Sequence, residues 1–260
     1  QLDIEMAFAT QEDVFAVLEK VLPPVFAKFS GWEADKPPFR RIAYRDALET
    51  YGTDKPDLRN PLTVCDITDL MQGCGFAAVE GKIVKAIAVR NAGIARKQID
   101  KLAEEFKVKT EGGAMFWFRL DENGAPAGGI SKFVAERADA LRERLGIAAG
   151  SFVAVIAEDK RSLVQKRAGI LRTMLGTALD LLEKNVYRFC WIVDFPMYEI
   201  GEESGQLEFC HNPFSMPQGG MKALEEQDPL EVLAYQYDIV CNGVELSSGA
   251  VRNHDPEIMV

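Results

Sequence analysis

The spacing of hydrophobic residues changes character twice along the chain, which separates three parts. In the first part, residues 1–8 alternate polar and apolar positions, which predicts a half-buried strand. A capping box at 10–13 predicts the start of a helix that the prolines at 23–24 disturb. Residues 42–51 predict a short second helix, and 51–61 is dense in turn formers and charges, which indicates a loop or domain boundary.

Residues 63–187 show the pattern of a separate α+β unit of about 120 residues, which is long enough to form its own core. Ser131 and Gly146 are expected to cap the two ends of one of its helices. Runs of strand length alternate with stripes of helical spacing. The predicted strands are 83–89, 114–120 and 152–157, and the predicted helices are 96–106, 131–145 and 162–182.

From residue 188 to residue 260 strands predominate again. An apolar run at 189–193 has the length of a buried strand. Within 235–251, the dipeptide Asn242-Gly243 between alternating flanks is a strong signal for a β-hairpin. A helix is expected to start at residues 255–257, just before the chain stops, while the other end begins without methionine. Both ends are therefore expected to be cut rather than natural.

The composition argues against some classes of protein. A net charge of −10 argues against a protein that mainly grips nucleic acid through its phosphates, although a local basic patch is compatible with that total. No apolar run approaches the ~18–20 residues of a membrane span, so no membrane partner is expected. The five cysteines are scattered without C-x-x-C spacing, which indicates reduced core residues of a cytoplasmic protein rather than metal ligands.

The predicted hairpin brings two carboxylates to one face. A two-residue turn pairs Val240 with Glu245 and Asp238 with Ser247, so that Asp238 and Glu245 become diagonal neighbours. Two carboxylates this close bind a cation, share a proton or stay in open water. Their oxygens suit Mg²⁺, which keeps waters and substrate phosphates as its other ligands. The alternative is a pair of solvated residues on an exposed hairpin.

Other polar residues are candidates for binding. Arg252 falls on the opposite face from Glu245 in a regular strand, but a bulge at Gly249 would return it to the same face. There its guanidinium could clamp a carboxylate, although a surface arginine is the alternative. His211 lies where a strand turns into a loop, and Asp3 lies on the polar face of the first strand. Both also have an ordinary structural interpretation.

Several longer strings, in their order and spacing, resemble one family. QLDIE at 1–5 resembles the second strand of motif 2 in bacterial-type aspartyl-tRNA synthetases of class II, and YGTDKPDLR at 51–59 resembles the segment that leads into their insertion. WIVDFPM at 191–197 and HNPF at 211–214 resemble the return into the catalytic sheet. Residues 238–252 resemble the strand pair before motif 3, and the intervening unit resembles the GAD insertion shared with the tRNA-dependent amidotransferase B subunit.

The resemblance implies an α+β fold in which part of an antiparallel class II catalytic sheet, at 1–62 and 188–260, is interrupted by a GAD domain at 63–187. It implies ATP-dependent activation of L-aspartate to aspartyl-adenylate and transfer to tRNA-Asp, in a homodimeric parent protein. Whether tRNA-Asn is also charged stays open. Because motif 1, motif 3, the first strand of motif 2 and the anticodon-binding barrel are not in the sequence, this chain alone is expected to be inactive.

The resemblance also implies roles for individual residues in binding aspartate. Asp3 would take the substrate ammonium with Gln1 nearby, and Arg252 would pair with the side-chain carboxylate beneath His211. A guanidinium matched to a carboxylate rejects the amide of asparagine, which would leave its charge uncompensated. Asn212 departs from the pattern, since many bacterial relatives have a second histidine there, so only His211 is expected to line the pocket.

On the ATP side, the resemblance implies that Asp238 and Glu245 hold Mg²⁺ on the phosphates, with Glu245 also counted as an ATP-binding residue. The reaction brings an anionic carboxylate to a phosphorus atom. A metal ion is therefore needed to offset the repulsion between the two substrates.

Two other functions stay open. A basic edge on the unit 63–187 favours a tRNA- or protein-contacting module, while a solvated helix face is its ordinary interpretation. An AMP-forming asparagine synthetase related to the class II enzymes lacks a comparable insertion, so the middle unit counts against it. The residues of the basic edge are Lys160, Arg161, Lys166, Arg167 and Arg172.

Overall fold

Helices and short strands alternate along the chain, and the computed structural model describes residues 2–201 and 204–259. None of the described helices is both long and apolar enough to cross a membrane. The helices are α1 (Gln11–Ser30), α2 (Tyr44–Tyr51), α3 (Thr68–Met71), α4 (Arg96–Lys109), α5 (Ser131–Val134), α6 (Ala138–Leu145), α7 (Arg161–Ala178) and α8 (Gly220–Glu226), with 3₁₀ turns at Ala135–Arg137 and Pro229–Glu231. The strands are β1 (Glu33–Ala34), β2 (Arg40–Ala43), β3 (Val64–Asp66), β4 (Ile83–Val89), β5 (Phe116–Leu120), β6 (Pro126–Ala127), β7 (Phe152–Glu158), β8 (Val186–Tyr187), β9 (Phe189–Val193), β10 (Phe195–Pro196), β11 (Tyr198–Ile200), β12 (Leu207–Phe209), β13 (Leu233–Ala234), β14 (Gln236–Cys241) and β15 (Val244–Ala250).

The chain divides into two compact units. The first comprises the described parts of 1–47, 55–59 and 183–260, and the second comprises 48–54 and 60–182. The main sheet of the first unit has the order β15-β14-β9-β2 and is antiparallel except for β2, which joins β9 in parallel. The sheet of the second unit has the order β3-β4-β7-β5-β6 and is antiparallel. The fold is therefore mixed α+β with largely antiparallel sheets, as the sequence predicts.

In the first unit, α1 covers one face of the sheet. The predicted capping box is present, because the Asp13 carboxylate accepts a hydrogen bond from the Thr10 amide at 2.8 Å while the Thr10 hydroxyl accepts from the Asp13 amide. Phe15 stacks on Trp191 of β9 with ring centroids 3.9 Å apart. Tyr237 of β14 meets Phe15 edge-on at 4.9 Å. Helix α1 thus covers one face of the β9–β14 pair, so a binding site on this pair is expected on the opposite face.

The proline pair at 23–24 does not end α1, which continues to Ser30. Each proline removes one backbone donor from the helix. The turns beyond are held by aromatic packing, because Phe26 meets Tyr187 at 4.9 Å and Phe189 at 5.3 Å between ring centroids. Tertiary packing outweighs local propensity in this helix.

Other predicted elements also differ from the structure. Residues 2–6 form no strand and are exposed, because no strand in the described part of the chain pairs with them. The predicted helix 131–145 is broken by a 3₁₀ turn, and Ser131 begins α5 without capping it. Gly146 does end α6, with φ of +59°. Residues 256–259 form a turn instead of a helix.

In the second unit, much of the predicted basic edge is used inside the fold. Arg172 is 2% exposed and donates hydrogen bonds to two backbone carbonyls. Arg167 and Arg161 form ion pairs with Glu158 and Glu49 respectively. The two lysines of that edge are exposed. These ion pairs weaken the case for a continuous basic surface on α7.

The five cysteines are free thiols, but only two of them are buried core residues as predicted, while Cys65, Cys74 and Cys210 are partly buried. Cys190 and Cys241 are buried, and burial raises the pKa of each thiol to about 12. Both lie in adjacent strands of the first sheet, where they act as small apolar residues.

Candidate functional site

The hairpin β14–β15 turns at Asn242-Gly243, as predicted, but its register shifts after the first pairs. Val240 lies opposite Glu245, whereas Ile239 lies opposite Ser247. Leu246 is therefore an extra residue, and Asp238 faces Ser248 instead of the predicted Ser247. The correction follows from this β-bulge, which the strand period alone does not reveal.

The bulge determines which side chains share a face. The bulge adds one residue between Glu245 and Ser247. Side chains along a strand alternate between the two faces of the sheet, so the extra residue exchanges the faces of all later positions. When this alternation is continued two residues past β15, Asp238, Glu245 and Arg252 fall on the same face. The sequence left this outcome open through a bulge at Gly249, whereas the structure has the bulge at Leu246. Gly249 has a different function, because a Cβ atom there would lie 2.4 Å from the ring of Tyr237.

Asp238 lies in the interior of the sheet. Its residue is 4% exposed, and its strand neighbours are Ile192 on β9 and Ser248 on β15. The adjacent positions Tyr237 and Ile239 point into the core beneath α1. A carboxylate so poorly hydrated requires donors or a cation to stabilise its charge.

Glu245 lies at the turn end of the same hairpin and is more open. Its Oε2 atom is 3.2 Å from the ammonium of Lys55, and the two side chains are 34% and 39% exposed. The sequence did not identify Lys55 as a site residue. The only sequence feature that pointed to Lys55 was its place in the string YGTDKPDLR at 51–59.

Arg252 is held by the segment that follows His211. It forms an isolated antiparallel bridge with Ser215, and its guanidinium lies 4.9 Å from the ring centroid of Phe214. The guanidinium is also 3.7 Å from the Glu5 carboxylate, although both side chains are largely exposed. The arginine is therefore positioned by backbone pairing and an aromatic surface, while its charged end stays open to solvent.

His211 contacts two aromatic rings edge-on, Phe195 at 4.8 Å and Tyr44 at 6.0 Å between centroids. The next residue, Asn212, organises the loop. Its side-chain oxygen accepts hydrogen bonds from the amides of Phe214 and Ser215 and from the Ser215 hydroxyl, at 3.2, 2.9 and 2.7 Å. From the sequence, Asn212 was only a departure from the family pattern. In the structure, its hydrogen bonds hold the loop that carries His211.

The same asparagine ties the loop to the sheet. Its Nδ2 donates to the side-chain oxygen of Gln236 at 2.9 Å, and Gln236 is two residues before Asp238 on the same strand face. The loop that carries His211 is thereby fixed over the end of the face that carries Asp238 and Arg252.

The N-terminal candidates are not brought into the site in the same way. Gln1 lies outside the described residues. Asp3 is exposed and lies in a segment without strand structure, so its predicted place on a strand face is wrong. Glu5 of this segment lies 3.7 Å from the Arg252 guanidinium.

The hairpin offers oxygen donors of the type that Mg²⁺ prefers. Asp238 and Glu245 contribute two carboxylates from one face, and Mg²⁺ is commonly held by one or two carboxylates together with substrate phosphates. Among the described residues, no group of three or more His, Cys, Asp or Glu side chains is placed to hold a metal ion.

Comparison with known proteins assigns the chain to a known class. The chain matches the family "tRNA synthetases class II (D, K and N)" over residues 1–260, and it therefore belongs to that family. It is 50% identical over 268 residues to an aspartate–tRNA(Asp/Asn) ligase of Gluconobacter oxydans, and 49% identical over 262 residues to an aspartate–tRNA ligase of Streptomyces avermitilis. Each match covers 100% of this chain and 44% of the relative. The chain thus spans less than half the length of these relatives, and the resemblance seen in the sequence is confirmed.

Proposed function

We propose that this chain supplies part of the amino-acid and ATP site of an aspartate–tRNA ligase. The parent protein would form aspartyl-adenylate from L-aspartate and ATP and pass the aspartyl group to tRNA-Asp. The observation that carries the proposal is the bulged hairpin, because it brings Asp238, Glu245 and Arg252 to one face. Membership of a family that charges tRNA, and about 50% identity to aspartate-specific relatives, support the same conclusion.

On the aspartate side, the open guanidinium of Arg252 pairs with the substrate side-chain carboxylate. A planar guanidinium binds a carboxylate through two parallel hydrogen bonds, which a lysine cannot reproduce. Support comes from the contact of the Arg252 guanidinium with the ring of Phe214 and from the edge-on contact of His211 with Phe195. Asp3 and Gln1 are assigned to the substrate ammonium by resemblance alone.

On the ATP side, Asp238 and Glu245 would hold Mg²⁺ with the triphosphate. When bound, the metal supplies positive charge that offsets the repulsion between an attacking carboxylate and the α-phosphate. The chain's own contribution is to fix the two carboxylates on a rigid hairpin, one buried in the sheet and one at its turn end. Rigid placement of such groups lowers the reorganisation needed at the moment of reaction.

We assign the unit at 63–187 to a GAD-type insertion, with 1–62 and 188–260 as the two parts of the catalytic domain. The parent protein is proposed to be a cytoplasmic homodimer, with tRNA-Asn as a second acceptor still to be tested. The alternative is a tRNA- or protein-contacting module built on this unit, and its basic residues favour it. That alternative is weakened because Arg161, Arg167 and Arg172 are engaged within the unit.

A chimera tests the proposed activity in the context of a full-length relative. This chain would replace the matching segment of the Gluconobacter oxydans relative, and amino-acid-dependent ATP–pyrophosphate exchange would be measured. We expect exchange with L-aspartate but not with L-asparagine or L-lysine. Arg252→Lys should reduce kcat/KM for aspartate by roughly 10–10²-fold, since lysine keeps the charge but loses one of the two parallel hydrogen bonds to the substrate carboxylate.

Arg45→Lys is the matched control, because Arg45 is exposed and pairs with Glu231 at 3.1 Å on a different part of the first unit. It should leave the exchange rate unchanged. A folded chimera that activates asparagine or lysine instead of aspartate would refute the proposal.

A further inference from the structure

The segment Lys55–Arg59 is locked against the turn of the β14–β15 hairpin. The Asp57 carboxylate accepts hydrogen bonds from the amide and the guanidinium of Arg59, at 3.0 Å for the amide and at 3.0 and 2.7 Å for the guanidinium. Gly243 makes the close approach feasible, because a Cβ atom there would lie 3.3 Å from the Cβ of Asp57. Gly243 also has φ of +83°, which a side chain disfavours. The backbone two residues beyond Lys55 is therefore held beside the hairpin turn.

From this segment, Lys55 extends to the hairpin carboxylate nearest the turn. Its Nζ lies 3.2 Å from Oε2 of Glu245. The pair is roughly one-third exposed, so both partners are reachable by ions from solvent. Lysine carries a compact ammonium on a flexible stem, which can be displaced without moving the backbone.

A divalent cation and an ammonium compete for the same carboxylate. Mg²⁺ binds carboxylate oxygens at about 2.1 Å, and a positive charge within ~4 Å of that position opposes it. We propose that Lys55 is the resident counter-ion of Glu245, which a divalent cation must displace before Glu245 becomes a metal ligand. Lys55 is then a positioning residue that holds the Glu245 carboxylate in place until the metal arrives. This inference rests on the proposed function of Asp238 and Glu245.

The test is the affinity of the purified chain for Mn²⁺, an oxygen-seeking probe of magnesium sites, measured from the loss of the free-ion electron paramagnetic resonance signal. Lys55→Gln should bind Mn²⁺ roughly two- to fivefold more tightly than the unsubstituted chain, the effect expected when a partly exposed ion pair is removed. Lys55→Arg keeps the charge and should not strengthen binding. Adding Glu245→Gln to Lys55→Gln should abolish the gain.

Lys222→Gln is the matched control for net charge, because Lys222 is exposed and pairs with Glu226 at 3.9 Å on α8. It should leave Mn²⁺ affinity unchanged. If Glu245→Gln weakens binding but Lys55→Gln does not strengthen it, the counter-ion proposal is overturned and the metal assignment stands. If Glu245→Gln has no effect in either background, the metal assignment fails and the counter-ion proposal fails with it.

Discussion

Asp238 lies opposite Ser248 across the hairpin, one residue further along β15 than a regular two-residue hairpin would place it. The cause is Leu246, which has no partner of its own in the ladder. Strand residues alternate between faces, so one inserted residue exchanges the faces of everything beyond it. Arg252 therefore lies on the same face as Asp238 because Leu246, six positions before it, is inserted in the strand.

The first prediction concerns Gly249, whose missing side chain leaves space for the ring of Tyr237. A Cβ atom would lie 2.4 Å from that ring, and Tyr237 is fixed against Phe15 and Trp191 with centroids 4.9 and 5.9 Å away. Gly249→Ala should therefore lower the free energy of unfolding by about 1–3 kcal/mol, the usual cost of overpacking a core. Urea unfolding followed by tryptophan fluorescence measures the change.

Gly93→Ala is the control for this substitution, because a Cβ atom at Gly93 would have no neighbour within 4 Å. It should change the free energy of unfolding by less than about 0.5 kcal/mol. Equal effects at the two positions would show that Tyr237 does not depend on the glycine.

Sequence patterns predict the parts of this fold that depend on local periodicity. The strand Ile83–Val89, the buried strand Phe189–Val193 and the Asn242-Gly243 turn occur where the pattern places them. The bulge at Leu246 depends on how two strands pack, and no local signal marks it. The predicted strand is absent from residues 2–8 for a related reason, since an alternating pattern predicts a half-buried surface but does not supply a strand to pair with.

The candidate site likewise contains residues that the sequence could identify and one that it could not. Asp238, Glu245, Arg252 and His211 were identifiable because they belong to strings that resemble a family. Lys55 belongs to such a string too, yet its contact with Glu245 joins residues 190 positions apart and has no local signature.

The second prediction concerns Lys85, a lysine buried in the second unit. Its residue is 1% exposed, and its ammonium pairs with Glu49 and with Asp66, the latter at 2.9 Å. Lys85→Met fills a similar volume but removes the cation that pairs with Asp66 and one of the two cations that pair with Glu49. The free energy of unfolding should fall by about 2–3 kcal/mol, less than the ~3–5 kcal/mol of a fully buried pair, because both acids keep some contact with water. Urea unfolding monitored by circular dichroism measures this change.

Lys101→Met provides the comparison, since Lys101 is 75% exposed and its pair with Glu105 is of the exposed i,i+4 type. Such pairs contribute only about 0.3–0.5 kcal/mol. A cost at Lys85 no larger than the cost at Lys101 would contradict the importance of the buried cluster.

The third prediction concerns the pH dependence that arises from Asp66. Burial alone would raise the pKa of Asp66, but hydrogen bonds from Thr68 and Lys85 outweigh it and hold that pKa below its ordinary value of 3.8. The stabilisation is therefore complete above the ordinary value and is lost as the pH falls through the lower pKa of the folded state. Asp66→Asn should reduce the loss of unfolding free energy between about pH 5 and about pH 3, as measured by urea titrations across that range.

Asp159→Asn is a suitable reference, because Asp159 is exposed and belongs to the same unit. It should leave the acid side of the stability profile as it is in the unsubstituted chain. If the Asp66 variant retains the full acid-dependent loss, other carboxylates account for it.

The fourth prediction concerns Asn212, which joins the His211 loop to the sheet. Asn212→Ala removes three hydrogen bonds accepted by Oδ1 and the one donated to Gln236. Typical net contributions of ~0.5–1.5 kcal/mol per bond, partly replaced by water, give an expected loss of about 1–3 kcal/mol in unfolding free energy. Asn212→Asp keeps the acceptor but loses the donor to Gln236, so its cost should be intermediate.

The functional consequence of Asn212→Ala separates a structural role from a role in the site. Ser215, held by Asn212, bridges Arg252, so loosening the loop should misplace the guanidinium. In the chimera, KM for aspartate should rise several-fold while KM for ATP stays constant, because Asp238 is held by strand pairing on both sides and Glu245 lies at the far, turn end of the hairpin. Asn123→Ala, at an exposed turn position of the second unit, should change neither constant. Equal increases in both KM values for Asn212→Ala would mean that the loop supports the whole face rather than the arginine.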